Sequence, residues 1–267
     1  MKHHLQLWLY KNHSIIQSAY NALFGKEKGS GMSRGFSFKQ FHVNDYGCGM
    51  PVSTDGVLLG AWAALPQQGR LLDIGTGSGL LALIAAQRAP ILSIEAIEID
   101  PQAANAARQN FAASPWHERL HCIEQDITLW LQSQPSKSVD GIICNPPYFN
   151  FGQQAESQHR ATARHTDTFT HQQLLHTLEY LLTEQGIANI ILPTYEGECL
   201  IAAAKAFNLH CIARCDVQTT EKKTPIRLLL QLSKKQQTCL SQHICIHKDG
   251  DYSKEFKALT KDFYLKM

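Results

Sequence analysis

The chain has no run of about 18 uninterrupted apolar residues, so no membrane-spanning helix is expected. Its start, MKHHLQLWLYKNHS, holds only a short apolar piece from Leu5 to Tyr10. Lys11, Asn12 and His13 break it, and no small-residue cleavage site follows, so a secretory signal is not expected and a cytoplasmic location is. The 8 cysteines include no C-x2-C pair and the 13 histidines no H-E-x-x-H, so no metal site is assigned. Most of the cysteines lie in apolar runs and read as small core residues of a reducing compartment. Charge is also sparse: 18% charged against 44% hydrophobic residues excludes extended disorder. A length of 267 residues then suits one large domain with small additions.

The net charge of +2 hides an asymmetry. Residues 1–31 carry +3 and residues 222–267 carry +6, which leaves −7 on the stretch between them. A basic end on an acidic body suits contact with a polyanion; a solvated face is the plain alternative. Residues 1–31 close on the linker-like Lys26-Glu27-Lys28-Gly29-Ser30-Gly31, and Met32-Ser33-Arg34 reads like a fresh start. The expectation is an N-terminal extension over 1–31, with translation naturally beginning at Met32, and one main domain over 32–267. An amphipathic helix around Ile15–Phe24 is the alternative for the extension.

From Arg34 the pattern becomes regular. Phe36 and Phe38 alternate with polar residues as on a half-buried strand, and a helix over 56–63 is expected to be capped by Thr54 or a neighbour. Strands at Arg70–Ile74, Ile94–Ile99, Leu120–Glu124, Val139–Cys144 and Ile187–Leu192 then alternate with helices at Leu80–Gln87, Ala103–Phe111, Ile127–Leu131, Leu174–Leu182 and Cys199–Phe207. Asp100 followed by Pro101 predicts a helix cap, and Ser114-Pro115 the same helix's end. Such alternation implies a parallel sheet with helices on both faces. Leu209–Val217 and Ile226–Leu232 have no room for a helix between them, so that pair is expected to be antiparallel. Ile244–Ile246 is a candidate third strand, and Tyr252–Tyr264 a final helix beginning at Asp251 or Ser253. Residues 149–170 read as a long polar loop carrying Arg160 and Arg164.

Four features sit at the carboxyl ends of successive strands. The first is Asp73-Ile74-Gly75-Thr76-Gly77-Ser78-Gly79, where glycines let a ligand approach the backbone closely. The dinucleotide fingerprint needs a glycine where Leu80 stands, and a carboxylate at Asp73 repels a pyrophosphate but can hold an ammonium, so a cationic ligand is preferred over NAD. A plain tight turn is the competing reading. The second is Glu98, placed to accept two ribose hydroxyls, and the third is Asp126, a candidate adenine contact and equally a helix cap. The fourth is Asn145-Pro146-Pro147-Tyr148. A planar amino group is a poor nucleophile because its lone pair is delocalised. Acceptors on both of its hydrogens, the Asn145 side-chain oxygen and the Pro146 carbonyl, would localise that pair. The prolines stiffen the loop, and Tyr148 offers a ring for a flat substrate.

Together these elements resemble class I S-adenosyl-L-methionine methyltransferases of the N-P-P-Y, amino-methylating branch. Phe36-Ser37-Phe38-Lys39-Gln40-Phe41, Thr54-Asp55-Gly56-Val57-Leu58-Leu59-Gly60-Ala61-Trp62 and the ending from Asp251-Tyr252-Ser253 to Phe263-Tyr264 resemble more narrowly the bacterial tRNA(1)(Val) adenine-37 N6-methyltransferases. The resemblance covers residues 34–267. It implies a Rossmann-like α/β fold with a seven-stranded, mostly parallel sheet and a C-terminal antiparallel strand pair. It implies that Asp73, Gly75, Gly77 and Glu98 hold S-adenosyl-L-methionine, with Asp126 near its adenine and Thr54 and Asp55 closing its methionine end. Asn145, Pro146, Pro147 and Tyr148 would hold the target adenine of a tRNA anticodon loop. Two other targets share N-P-P-Y. Methylation of a protein glutamine normally needs a helical substrate domain, for which the stretch between Met32 and Leu65 leaves no room. Adenine of DNA or of another RNA is the other, and no separate target-recognition domain is visible for DNA.

Overall fold

At the centre of the sheet, residues 71–74 and 141–144 are buried at every position, as strands covered on both faces must be. The computed structural model describes residues 35–49, 51–146 and 169–267. These fall within one unit, Ser33–Met267. A small antiparallel hairpin of β1 (Gly35–Ser37) and β2 (His42–Asn44) precedes α1 (Thr54–Trp62). The alternating part follows: β3 (Gly69–Ile74), α2 (Leu80–Arg88), β4 (Leu92–Glu98), α3 (Pro101–Ala113), β5 (Leu120–Glu124), α4 (Ile127–Leu131) and β6 (Val139–Cys144). After residue 169 come α5 (His171–Leu181), β7 (Leu182–Pro193), α6 (Thr194–Ala204), β8 (His210–Thr220), β9 (Arg227–Ser233), β10 (Leu240–Lys248), β11 (Asp251–Tyr252) and α7 (Lys254–Thr260).

The large sheet has the order β11-β10-β8-β9-β7-β6-β3-β4-β5. Strands β3 to β9 are the expected seven, with β8 and β9 antiparallel as their short connection requires. Two further strands extend the sheet, so it has nine strands in all. One is β10, which runs parallel to β8 and is longer than the Ile244–Ile246 core legible in the sequence. Its first residues, Leu240 to His243, are exposed, so they carry no apolar alternation to announce a strand. Another departure lies at Leu182–Gly186, read as the end of a helix. The helix stops at Leu181, and the chain enters β7 at Leu182, which pairs with Val139 of β6.

Alternate side chains of each strand feed opposite layers. Ile143, Ile191 and Leu229 face a core with α1, α2 and α7, whereas Ile142, Ile190 and Leu228 face the core shared with α5 and α6. Asp100 caps α3 as expected, accepting from the Gln102 and Ala103 N–H groups, with Pro101 at the first helical position. Ser53 rather than Thr54 caps α1, because its hydroxyl accepts the Gly56 N–H at 3.1 Å. Helix carbonyls left open at the other ends are met by guanidiniums. Arg88 donates to Gly60 and Ala63 at 2.6 and 2.9 Å. Arg119 donates to Ala86, Ala89 and Leu92. The final helix is shorter than Tyr252–Tyr264 and is capped by Ser253. The eight cysteines are free thiols, and only Cys144 and Cys215 are fully buried, against the expectation that most would be. No helix among the described residues is long and apolar enough to cross a membrane.

The two terminal segments meet. Phe38 bridges to Tyr264, and Lys39 N–H donates to the Phe263 carbonyl at 2.8 Å. Phe38 stacks on Phe41 at 4.6 Å, so one aromatic cluster closes the sheet's helical face at both ends of the domain.

Gly79, at the start of α2, has φ +90°, and a methyl group on it would sit 2.5 Å from the Phe111 ring. Gly79→Ala combines left-handed strain with overpacking, and about 2–4 kcal/mol of stability should be lost. Urea denaturation measures this; an unchanged midpoint would contradict the packing described.

Candidate active site

Ligand crevices in open α/β sheets form where strand order reverses, at the carboxyl ends of the strands. Here the chain moves from β3 outward through β4 and β5, then returns to the other side of β3 as β6. The reversal point is therefore between β3 and β6. Asp73 is level with Ile143, and Ile74 with Cys144, so the next residues on the two strands are Gly75 and Asn145. Neighbouring strands are about 4.8 Å apart. The glycine turn and the start of the N-P-P-Y motif thus leave the sheet side by side. Asn145 is half-buried and Pro146 buried. Pro147 and Tyr148 lie outside the described residues, as do Arg160 and Arg164.

The turn itself is held by carboxylates. Asp73 is fully buried. Its Oδ2 accepts from the Thr76 hydroxyl at 2.6 Å and from the Ala82 N–H at 3.1 Å. Its Oδ1, equally buried, has no partner among the described residues. Burial pushes the carboxyl up to about 7, against the pull of the Thr76 and Ala82 hydrogen bonds, and the nearby Glu98 adds to the rise. A buried carboxylate oxygen with nothing to bind is a costly arrangement unless a ligand supplies a donor. An ammonium matches both its charge and its hydrogen-bonding capacity.

Glu98 ends β4 and is 7% exposed. Its Oε2 accepts the Gly77 N–H at 2.8 Å and its Oε1 accepts the Asp100 N–H at 2.9 Å. Each oxygen keeps a second lone pair, so two hydroxyls of a sugar can still be accepted. Gly75 N–H and Thr76 N–H both donate to Ile97 O, which fixes the turn against β4. Gly75 has φ +69° and is exposed, and open space lies where its Cβ would be. A ligand can therefore approach the backbone there. One strand further out, Asp126 caps α4, its Oδ1 accepting the Thr128 N–H and hydroxyl at 2.7 and 2.6 Å. Ile127 beside it is buried.

Asp73, Gly75, Gly77 and Glu98 are thus one hydrogen-bonded unit, flanked by Asp126 on one side and Asn145 on the other. Thr54 and Asp55 open α1, whose Gly56 packs against Leu80 directly after the turn. Thr54 is exposed, and Asp55 Oδ2 accepts from Arg227 Nε at 2.7 Å.

The methyltransferase small domain model matches residues 54–186. The tRNA1(Val) (adenine(37)-N6)-methyltransferase of Photobacterium profundum is 59% identical over 240 residues, covering 88% of this chain and all of that protein. The protein of the same name from Aliivibrio fischeri is 48% identical over 236 residues, with the same coverage. The chain belongs to this family. Among solved structures, a predicted O-methyltransferase from Agrobacterium tumefaciens aligns with TM-score 0.62 at 17% identity, over 78% of this chain and 96% of that one. TYW2 from Pyrococcus horikoshii in complex with MeSAdo aligns with TM-score 0.55 at 13% identity, over 85% of each chain. Both show the methyltransferase fold.

Two residues that brace this region escaped the sequence reading. Asn110, 2% exposed in the alanine-rich α3, donates to the Ser78 carbonyl at 2.7 Å and to the Asn44 carbonyl at 2.9 Å. Its Oδ1 accepts the Asn44 N–H, so one amide ties the glycine turn to β2. Asn189 on β7, fully buried, exchanges two hydrogen bonds with the backbone of Ala64 at the end of α1. For Asn189 the available signal was an amide standing alone in an apolar run; Asn110, beside Arg108 and Gln109, carried none.

An ammonium held at Asp73 would need the ionised carboxylate. Donor affinity should fall roughly tenfold per pH unit below about 7, with a proton released on binding. It should fall again above about pH 8 as an α-amino group loses its proton. Calorimetry in buffers of different ionisation enthalpy reads both; affinity flat from about pH 5.5 to 7.5 would contradict this role for Asp73.

Proposed function

We propose that this chain uses S-adenosyl-L-methionine to methylate the N6 amino group of adenine 37 in the anticodon loop of tRNA1(Val). The reading rests on its membership of a family whose relatives carry that reaction in their names. The observation that carries the chemistry is the register that sets Asn145 beside Gly75. It brings an amino-group acceptor and a donor-binding turn to one crevice.

The residues present fit the donor. Asp73 Oδ1 is a buried acceptor without a partner among the described residues, suited to the amino group of the methionine moiety. Glu98 retains acceptor capacity for ribose hydroxyls, and Asp126 with Ile127 borders the position for an adenine ring. Asp55 and Thr54 would close the methionine end. When bound, S-adenosyl-L-methionine supplies an electrophilic methyl group on a sulfonium.

This chain's own contribution is positioning and electrostatics. The target adenine must leave its stack to enter a concave pocket, which costs least in a single-stranded loop. Asn145 Oδ1 and the Pro146 carbonyl then accept the two N6 hydrogens. Two fixed acceptors favour a pyramidal nitrogen and turn its lone pair toward the donor side of the crevice. Pro147 removes a competing N–H, and Tyr148 stacks on the base. No strong base is needed, because the amino group becomes acidic only as it gains the methyl group, and its proton can then pass to solvent.

Mass spectrometry of nucleosides from tRNA incubated with donor and enzyme tests the reading. Wild type should raise N6-methyladenosine. Asn145→Ala should lower the rate about 100- to 1000-fold, with donor affinity nearly unchanged. An unaffected rate would remove Asn145 from the proposed role, and no N6-methyladenosine with wild type would overturn the function.

A further inference from the structure

Nearly all strands of the sheet run the same way, so the carboxyl edge continues well past the crevice. Strand β9 runs antiparallel to both β7 and β8, and its first residue, Arg227, pairs with Pro193 and Val217. The β8–β9 hairpin, residues 221–226, therefore projects from the same edge as Asn145. Strand β10 is parallel to β8, so Lys248 ends there too. The basic stretch legible in the sequence is thus partly a row of loops beside the crevice. Other cations of that stretch are spent elsewhere: Lys234 is 8% exposed and donates to the Leu182 carbonyl at 2.9 Å.

The hairpin is held firmly at its base. Thr194 donates to it twice, from N–H to the Ile226 carbonyl and from Oγ1 to the Pro225 carbonyl at 3.0 Å. Arg227 is fixed to Asp55 at 2.7 Å, and Glu221 pairs with Lys248 at 2.7 Å. A turn bond from Lys223 N–H to the Thr220 carbonyl closes its tip. Lys222 and Lys223 are exposed and take part in no ion pair among the described residues. Next to the residue that clamps the hairpin stands Tyr195, 70% exposed, with Ile226 at 43% exposed nearby in the fold. Two unpaired cations and an exposed ring on a rigid base, next to a crevice for a nucleobase, match what single-stranded nucleic acid requires.

We propose that Lys222, Lys223 and Tyr195 form the surface that holds the tRNA strand leading to the target base. The lysines contact phosphates and Tyr195 stacks on a neighbouring base. This rests on the functional reading above. From β6 to β10 is four strand spacings, about 19 Å. That is the length of roughly five or six stacked nucleotides at 3.4 Å each. The edge can therefore follow a short strand away from the crevice.

The test compares the full-length wild type with Lys222→Ala/Lys223→Ala, Tyr195→Ala and Tyr195→Phe, using tRNA1(Val) transcript as the probe. The double lysine variant should bind about five- to tenfold more weakly at moderate salt. Its log–log salt slope should be shallower by about 1.4 to 1.8. Tyr195→Ala should raise KM for tRNA about tenfold, with kcat within about twofold and the salt slope unchanged. Tyr195→Phe, which keeps the ring, should restore KM. Donor affinity and thermal midpoint should match wild type in every variant. Wild-type tRNA affinity, slope and KM in the variants would overturn this surface while the parent enzyme still methylates. A parent chain that neither binds nor methylates tRNA would overturn the functional reading and this surface with it.

Discussion

One buried carboxylate anchors the site. Asp73 stands near the end of β3, between β4 and β6, and is fully shielded from solvent. Its Oδ2 gathers the Thr76 hydroxyl and the Ala82 N–H, so it joins the end of a strand to the start of a helix across the glycine turn. That places Gly75 and Gly77 where Ile97 and Glu98 fix them from β4. The cost of burying a charge with one oxygen unmet is visible in the raised carboxyl pKa. A cationic ligand would offset that cost, so the feature that destabilises the free turn suits the proposed donor.

The remaining geometry depends on polar ties between parts of the chain far apart in sequence. Asn110 holds the glycine turn against β2. Asn189 holds the end of α1 against β7, and Arg227 holds its beginning against β9. Each is a single amide or guanidinium that satisfies backbone or carboxylate groups in largely dry surroundings, where leaving them unmet would be expensive. The crevice between β3 and β6 is therefore framed by rigid elements on both sides. The β8–β9 hairpin, tied to α1 through the Asp55–Arg227 pair, belongs to the same frame.

Local chemistry made much of this legible. Asp100-Pro101 announced α3, and Leu120–Glu124 and Val139–Cys144 are strands with the boundaries read from their apolar runs. The antiparallel β8–β9 pair followed from the lack of room for a helix. The glycine turn, Glu98 and Asn145 were placed at the correct strand ends because β/α alternation dictates where strands stop. What escaped was non-local. Leu182 joins β7 because Val139 pairs with it, which no local propensity encodes. The ion pair of Asp55 with Arg227, far along the chain, is likewise not encoded locally. Six cysteines stayed out of the fully buried core: Cys122 lies on the edge strand β5, Cys199 on α6, and Cys48 and Cys239 between elements. The basic end looked like a tail; its cations instead lie on β9, β10, α7 and the connections between elements, with Lys234 buried.

The central claim, that one crevice between β3 and β6 receives both donor and target, is tested most directly by a crystal structure with S-adenosyl-L-homocysteine and a short RNA carrying the target adenine. The account predicts the ligand's amino group on the order of 3 Å from Asp73 Oδ1, its ribose on Glu98, and the adenine amino group within hydrogen-bond reach of Asn145. A ligand bound elsewhere on the sheet, or an adenine amino group out of reach of Asn145, would contradict it.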